Sequence, residues 1–323
     1  MKAVICDAYG PPEVLRIGDV PLPLPKADEV RVRVEASSVS SADARIRGMR
    51  CPRIFRLPMR LMLGWRRPRQ RIPGMEFAGV IDAVGEGVTR FHPGDAVFGM
   101  ATHGANAEYL TISQAAAIAL RPARLTAAEA AAIPFGALAA LVFLRDVARV
   151  APGERLLVHG AGGAVGVFAV QLGKHFGLRV TAVCGPAHQA LAHSLGADQV
   201  IDRLSEDFTE GTERYDVILD TVGGTRFSRA RRVLAQGGRH VFLFFGLAEL
   251  WQMLWTRMRG GPRVICGGSG DAQADLLIIR DLVEAGTLRP VIGHSFALDD
   301  IVAAHRLVDS GRKQGSLVLL IQP

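Results

Sequence analysis

The stretch that most narrows the possible folds is RLLVHGAGGAVGVFAVQLGKHFG, residues 155–177. RLLVHG reads as a short buried strand, and the residues after the turn carry a helical period. Between them Gly160, Gly163 and Gly166 are spaced G-x-x-G-x-x-G. Glycine is required where a chain turns sharply, where backbone approaches a pyrophosphate, and where a helix packs on a strand. The helix that follows offers free N–H groups and the positive end of its dipole to phosphate. Gly160, Gly162, Gly163, Ala164, Val165 and Gly166 are therefore the candidate phosphate cradle.

A glycine-rich turn alone is a weak signal, but the pattern continues. RVTAVC (179–184) is a second strand, HQALAHSLGA a helix, and QVID (199–202) a third strand. YDVILDTVGG (215–224) and GGRHVFLFFG (237–246) follow, with a helix between them. Strands alternating with helices predict an α/β fold with a doubly wound parallel sheet of the Rossmann type. An NAD site places Asp or Glu at the end of the second strand, where it accepts from the ribose 2′-OH. Here that place reads Cys184, Gly185 and then His188, with no carboxylate. Its absence admits a 2′-phosphate, so NADPH is the expected cofactor. His188 and Arg203 are candidate cations for that phosphate, although each taken singly reads first as a plain surface residue, and the missing acid is the stronger signal. Val222, Phe245 and Gly246, at the ends of the later strands, complete the candidate cofactor contacts on this side.

The net charge of +7 suggests nucleic acid until it is located. Ten arginines fall between Arg45 and Arg71 with no Asp or Glu among them. Removing those ten from +7 leaves −3, so basicity is a local feature and a nucleic-acid partner is not expected. Cys6, Cys51, Cys184 and Cys266 form no C-x-x-C pair, which suggests neither a zinc knuckle nor a disulfide framework. The apolar run AAAIPFGALAALVFL from Ala130 is interrupted by Pro134 and Gly136 and reads as too short for a span, which needs about 20 residues. MKAVICDAYG alternates as a strand does and shows no signal-peptide pattern, so a cytoplasmic protein is expected.

The chain resembles the medium-chain dehydrogenase/reductase superfamily, in particular its zinc-free quinone oxidoreductase branch. The resemblance runs nearly end to end, through YGPPEVLRIGDVPLPLPKADEVRVRVEASSVSSAD, PGMEFAGVIDAVGEGVTRFHPGDAVFG, LLVHGAGGAVGVFAVQLGKHFG, YDVILDTVGG and the closing LVEAGTLRPVIGHSFALDDIVAAHRLVDSGRKQGSLVLLI. It implies a GroES-like, mainly β catalytic domain over 1–121 and 267–323, and a Rossmann domain over 122–266. EVRVRVEA (29–36) supports the first independently, because strict alternation reads as a half-buried antiparallel strand.

Zinc members of the superfamily carry Cys and His where this chain has Ser40 and Met75, the latter beside Glu76. Neither a hydroxyl nor a thioether replaces thiolate or imidazole at a catalytic zinc, and no metal is expected. Quinone reductases of the family often have Asn at the Ser40 position and Tyr at the Arg45 position. Ser40 still offers a hydrogen bond, Arg45 offers charge to an oxyanion, and Asp43 matches a carboxylate at the site's edge; these three are the catalytic candidates. Asp43 reads equally well as a turn or cap residue. Lys313 matches a position that closes over the cofactor, and reads equally well as a solvated turn residue. The proton donor is left open, with water one option.

Two segments stand apart from the family pattern. RIFRLPMRLMLGWRRPRQR (53–71) puts Arg53, Arg56 and Arg60 on one helical face and Ile54, Leu57, Leu61 and Trp65 on another. LAELWQMLWTRMRGGPR (247–263) carries an apolar stripe of Leu247, Leu250, Trp251, Leu254, Trp255 and Met258. A homodimer contact, a lid for a small apolar electrophilic substrate, and weak peripheral membrane contact through 53–69 and 247–259 are all consistent with them. The expected function is zinc-independent, NADPH-dependent reduction of quinones or α,β-unsaturated carbonyls. The alternatives are an NADP-dependent alcohol or carbonyl dehydrogenase and, from another class, an NADPH-binding sensor or RNA-binding protein.

Overall fold

The computed structural model describes residues 1–268 and 272–321; the side chain of Arg53 lies outside the described part. Two compact units are present, Met1–Phe135 with Asp271–Pro323, and Gly136–Gly270. The divisions at 135/136 and 270/271 fall later than the 121/122 and 266/267 boundaries read from the sequence. Residues 122–135 belong to the first unit because the helix Ala127–Ala131 packs on the strands Glu29–Ser38 and Glu76–Val84.

The first unit is built on a seven-stranded, mostly antiparallel sheet. Ile292–Ala297, Ser316–Leu320, Glu29–Ser38, Glu76–Val84, Ala96–Met100 and Ala117–Leu120 lie side by side in that order, and Tyr109–Ser113 pairs with the first half of Glu29–Ser38. Glu29–Ser38 behaves as its alternation predicts: Val30, Val32 and Val34 are buried while the charged residues between them lie half-buried on the other face. Those valines pack with Val4, Phe77, Ile118 and Leu319 in one core. A separate hairpin joins Lys2–Cys6 to Leu15–Asp19.

In the second unit six strands are parallel. Their spatial order is Gln199–Asp202, Arg179–Cys184, Arg155–His159, Tyr215–Asp220, Leu234–Phe242, Arg263–Cys266. Numbered along the chain this is 3-2-1-4-5-6, the doubly wound order of dinucleotide-binding sheets. The sixth strand, Arg263–Cys266, was not evident from the sequence. The order reverses between Arg155–His159 and Tyr215–Asp220, which opens a crevice at their carboxyl ends. Apolar residues fill both faces of these strands, since helices cover each side.

One expectation needs correction. Ala127–Ala148 forms a 22-residue apolar helical run, long enough by length and composition to cross a membrane. The expected break at Pro134 is present, since the helix Ala127–Ala131 ends before it and Pro134 is the first residue of the next helix, Pro134–Val142, whereas Gly136 does not interrupt that helix. Most of the run is buried inside the protein, so it has the character of core helices.

Candidate functional site

In the second unit the turn after Arg155–His159 is held by two parallel donations, Gly160 N–H and Ala161 N–H to the Val183 carbonyl, at 3.0 and 3.1 Å. Gly160 has φ +86°, and a Cβ there would lie 2.3 Å from Val222 Cγ2. Only glycine meets both conditions. The helix Ala164–His175 begins at Gly163 with no side chain capping it, so its first N–H groups are left to a ligand. The candidate cradle residues Gly160, Gly162, Gly163, Ala164, Val165 and Gly166 therefore lie together at the switch point of the sheet.

Beside the cradle, His188 covers Gly162 so closely that a Cβ there would come within 2.7 Å of the imidazole. Its Nδ1 is buried without a partner, and burial, together with Arg203, pushes its pKa down. Arg203 follows the third strand and donates its N–H to the Cys184 carbonyl at 3.0 Å. Its Nε lies 3.5 Å from the position a Cβ on Gly185 would take. Cys184, the last residue of the second strand, and Gly185 after it thus have His188 and Arg203 as neighbours, and of the two side chains only Arg203 is a ready cation, since burial disfavours the charged form of His188. Phe245 is half-buried, and Gly246 is the N-cap of the helix Leu247–Arg259.

One functional group was missed in the sequence. Asp220, fully buried at the end of Tyr215–Asp220, accepts from the N–H groups of Val222 (3.1 Å), Gly223 (2.7 Å) and Thr225 (3.3 Å). His159 Nδ1 lies 3.1 Å from the same carboxylate. Burial works to raise its pKa, but His159, the Gly223 N–H and His240 outweigh this and hold it at about 2. Asp220 thereby ties the Val222 loop to the strand that precedes the cradle. The signal available in the sequence was an Asp at a strand end followed by T-V-G-G, an acceptor facing a turn rich in free donors.

The first unit holds the catalytic candidates. Ser40 caps the helix Ser41–Arg47 in a capping box with Asp43: the Asp43 N–H donates to Ser40 Oγ at 3.1 Å, and Ser40 N–H and O–H donate to Asp43 Oδ2 at 2.8 and 2.6 Å. The hydroxyl hydrogen of Ser40 is therefore engaged by Asp43, the cap role weighed for that carboxylate. Gly74 N–H reaches Asp43 Oδ1 at 3.3 Å. Burial raises Asp43, although those hydrogen bonds and Lys313 oppose the rise. Glu76 is buried as well; its Oε1 accepts from Phe135 N–H at 2.8 Å and its Oε2 accepts from the Ser38 hydroxyl. Burial pushes Glu76 up to about 7. Lys313 faces both carboxyl groups: burial lowers its pKa while Glu76 and Asp43 raise it. It is not a solvated turn residue. Arg45 is half-buried on the same short helix, where burial and Arg50 lower its pKa.

These donors do not fit a catalytic zinc. Ser40 is engaged as a cap, Met75 supplies a thioether, and Glu76 is taken by Ser38 and Phe135. Among the described residues no group of three His, Cys, Asp or Glu side chains is placed to hold a metal ion.

Two family models match the chain: "Alcohol dehydrogenase GroES-like domain" over residues 26–146 and "Zinc-binding dehydrogenase" over residues 195–319. A quinone oxidoreductase of Lama guanicoe is 30 % identical, covering 100 % of this chain and 98 % of its own. A 2-methylene-furan-3-one reductase of Solanum lycopersicum is 29 % identical over 99 % of this chain and 79 % of its own. Among solved structures, the quinone oxidoreductase from Coxiella burnetii superposes with a TM-score of 0.88 at 28 % identity, covering 100 % of this chain and 99 % of that one. With a full-length relative at 30 % identity and this sheet order, the chain belongs to the medium-chain dehydrogenase/reductase superfamily, in its quinone oxidoreductase-like branch.

Proposed function

We propose that the protein is a zinc-independent oxidoreductase that uses NADPH to reduce quinones or α,β-unsaturated carbonyl compounds. The observation that carries this reading is the donor set of the first unit. Ser40, Met75 and Glu76 stand where a Lewis acid would be held, and none of them is available to one. Simple alcohols and ketones gain most from a metal that polarises their oxygen. Quinones and enones accept hydride at an already electrophilic carbon, so they suit a site without that help. Bound NADPH supplies the hydride. The protein's part is to bind and orient the cofactor and to stabilise the oxygen left with negative charge. The uncapped start of Ala164–His175 receives the pyrophosphate, and Arg203 receives the 2′-phosphate; His188, whose charged form burial and Arg203 disfavour, is not the cation its sequence position suggested. In the first unit Arg45 and Lys313 supply positive charge, and Asp43 and Glu76 set the charge around Lys313. The names of the relatives from Lama guanicoe and Solanum lycopersicum support the substrate class.

The decisive experiment follows NADPH and NADH oxidation with a panel of quinones, enals, ketones and simple alcohols, alongside metal content. Turnover of quinones or enals by metal-free protein, with NADPH preferred, is expected. Arg203→Glu should cut the preference for NADPH over NADH by roughly tenfold or more, because it sets a carboxylate against a phosphate. Failure of every acceptor despite bound NADPH would overturn the proposal. Stoichiometric zinc with alcohol oxidation would replace it by the alcohol dehydrogenase reading.

A further inference from the structure

We infer that residues 54–71 of the first unit form a docking surface for an anionic lipid bilayer. The short helix Arg56–Leu63 buries none of its residues. Ile54, Leu57 and Leu61 recur at three- and four-residue spacing, so the helix and its lead-in present an apolar face, followed by Met62 and, past the helix end at Gly64, by Trp65. That face points away from the protein: Ile54 is 55 % exposed, Leu57 56 %, Leu61 60 %, Met62 64 % and Trp65 55 %. A water-facing row of this size has no role in the fold of its own unit.

The charges are as unusual as the apolar groups. Arg47 and Arg50 pair with Asp309, and Arg71 pairs with Asp7. Among the described residues, no ion pair is made by Arg56, Arg60, Arg66, Arg67 or Arg69, all of them exposed. No acidic residue lies between Asp43 and Glu76 in the sequence to neutralise them. The Arg60 guanidinium instead lies over the Trp65 ring, 5.9 Å from its centroid.

The segment has a defined shape. Gly64 ends the helix at φ +125°, Arg69 N–H donates back to the Leu63 carbonyl at 2.7 Å, and the Tyr9 hydroxyl donates to the Gly64 carbonyl at 3.0 Å. The arginine loop is thus folded against the end of the apolar helix and pinned to the amino-terminal part of the unit. Exposed aliphatic side chains, an interfacial tryptophan and unpaired arginines in one short segment match the two layers of an anionic membrane surface. A second copy of the chain would set the same five unpaired guanidinium groups against their own kind. Nucleic acid would leave Ile54, Leu57, Leu61 and Met62 without an apolar partner.

Full-length protein is sedimented with vesicles of phosphatidylcholine alone and with vesicles that also contain phosphatidylglycerol. Binding to the mixed vesicles alone is expected, weakening as salt rises toward about 0.5 M. Arg66→Glu/Arg67→Glu/Arg69→Glu and Leu57→Ser/Leu61→Ser/Trp65→Ser should each lower partitioning by roughly tenfold or more. Inorganic phosphate at millimolar concentration should not displace the protein, which separates a bilayer from a free anion. In a Trp251→Phe/Trp255→Phe background the emission of Trp65 should shift to the blue on mixed vesicles alone. Circular dichroism melting checks that each variant folds.

Absence of binding to either vesicle, or unchanged binding by both charge-reversed and apolar variants, would overturn the inference. So would a concentration-dependent dimer that the apolar variant dissolves, with no vesicle binding, since the occupant would then be a second copy. Loss of turnover of a water-soluble acceptor in a folded apolar variant, again without vesicle binding, would assign the segment to the substrate entrance.

Discussion

Glu76 is a carboxyl group kept from water, with Ser38 and the Phe135 N–H as its hydrogen-bond donors. Burial moves its pKa from 4.5 to about 7. Between those values the folded chain holds a proton that the unfolded chain has released, so stability falls as pH rises. The contribution is fully present below about pH 4.5 and is lost as pH rises through 7. Glu76→Gln cannot ionise. From pH 4.5 to pH 8 it should gain on the wild type by up to about 3 kcal/mol in urea unfolding. A constant difference across that range would show that Glu76 is not proton-bearing at neutral pH. Asp220 titrates in the opposite sense, being ionised with four donor groups around it. Asp220→Asn turns an NH₂ group toward those donors. The expected result is a loss of about 3 kcal/mol in stability and a roughly tenfold weaker NADPH complex by fluorescence titration. Unchanged cofactor affinity in a destabilised variant would confine Asp220 to folding.

At the scale of elements, local sequence was a good guide wherever one face is buried. Glu29–Ser38 alternates because one side of its sheet is core, and Leu247–Arg259 shows its stripe at helical spacing because it is a helix. The arginine segment was legible in the same way; the direction in which its apolar face points was not, since periodicity defines a face but not its partner. The helix Ser41–Arg47 is only seven residues long and depends on its cap. Helices so short have little stability of their own. Ser40→Ala should cost about 1–2 kcal/mol by thermal unfolding, from the lost cap and from an Asp43 deprived of its hydroxyl donor. Ser40→Thr, which keeps an acceptor and a donor, should recover most of it. Equal stability of the alanine and threonine variants would show that the cap contributes nothing.

At the scale of the whole molecule, two buried histidines, one in each unit, join Asp220 in losing stability as pH falls. His240, its ring centroid 4.0 Å from that of Phe242 and tilted 38° to it, is pushed by burial down to about 4. His305 is pushed by burial, helped by Arg47, down to about 3. Both are neutral in the folded chain and take up a proton near pH 6.5 once unfolded. Their contribution is therefore complete above 6.5 and is lost as pH falls through 4 and 3. By pH 4 the loss is about 3 kcal/mol for each histidine, and Glu76 offsets one of them. His240→Gln/His305→Gln should flatten the stability profile between pH 6.5 and 4; an unchanged slope would locate acid sensitivity elsewhere.

Strand and helix periods and the glycine spacing are local, and from them the sequence by itself determined a doubly wound sheet and pointed to the turn that would cradle a dinucleotide. What only the tertiary structure decided is which polar groups meet. Asp220 and His159 are 61 residues apart, and Glu76 and Phe135 are 59 apart. Lys313 comes from the far end of the chain to face Asp43 and Glu76. Such pairings follow from strand order and from the crossing of chain segments, which no local pattern encodes. The protonation state of a buried carboxyl group is set by those partners and by the loss of water, so it became readable only once the fold had brought them together.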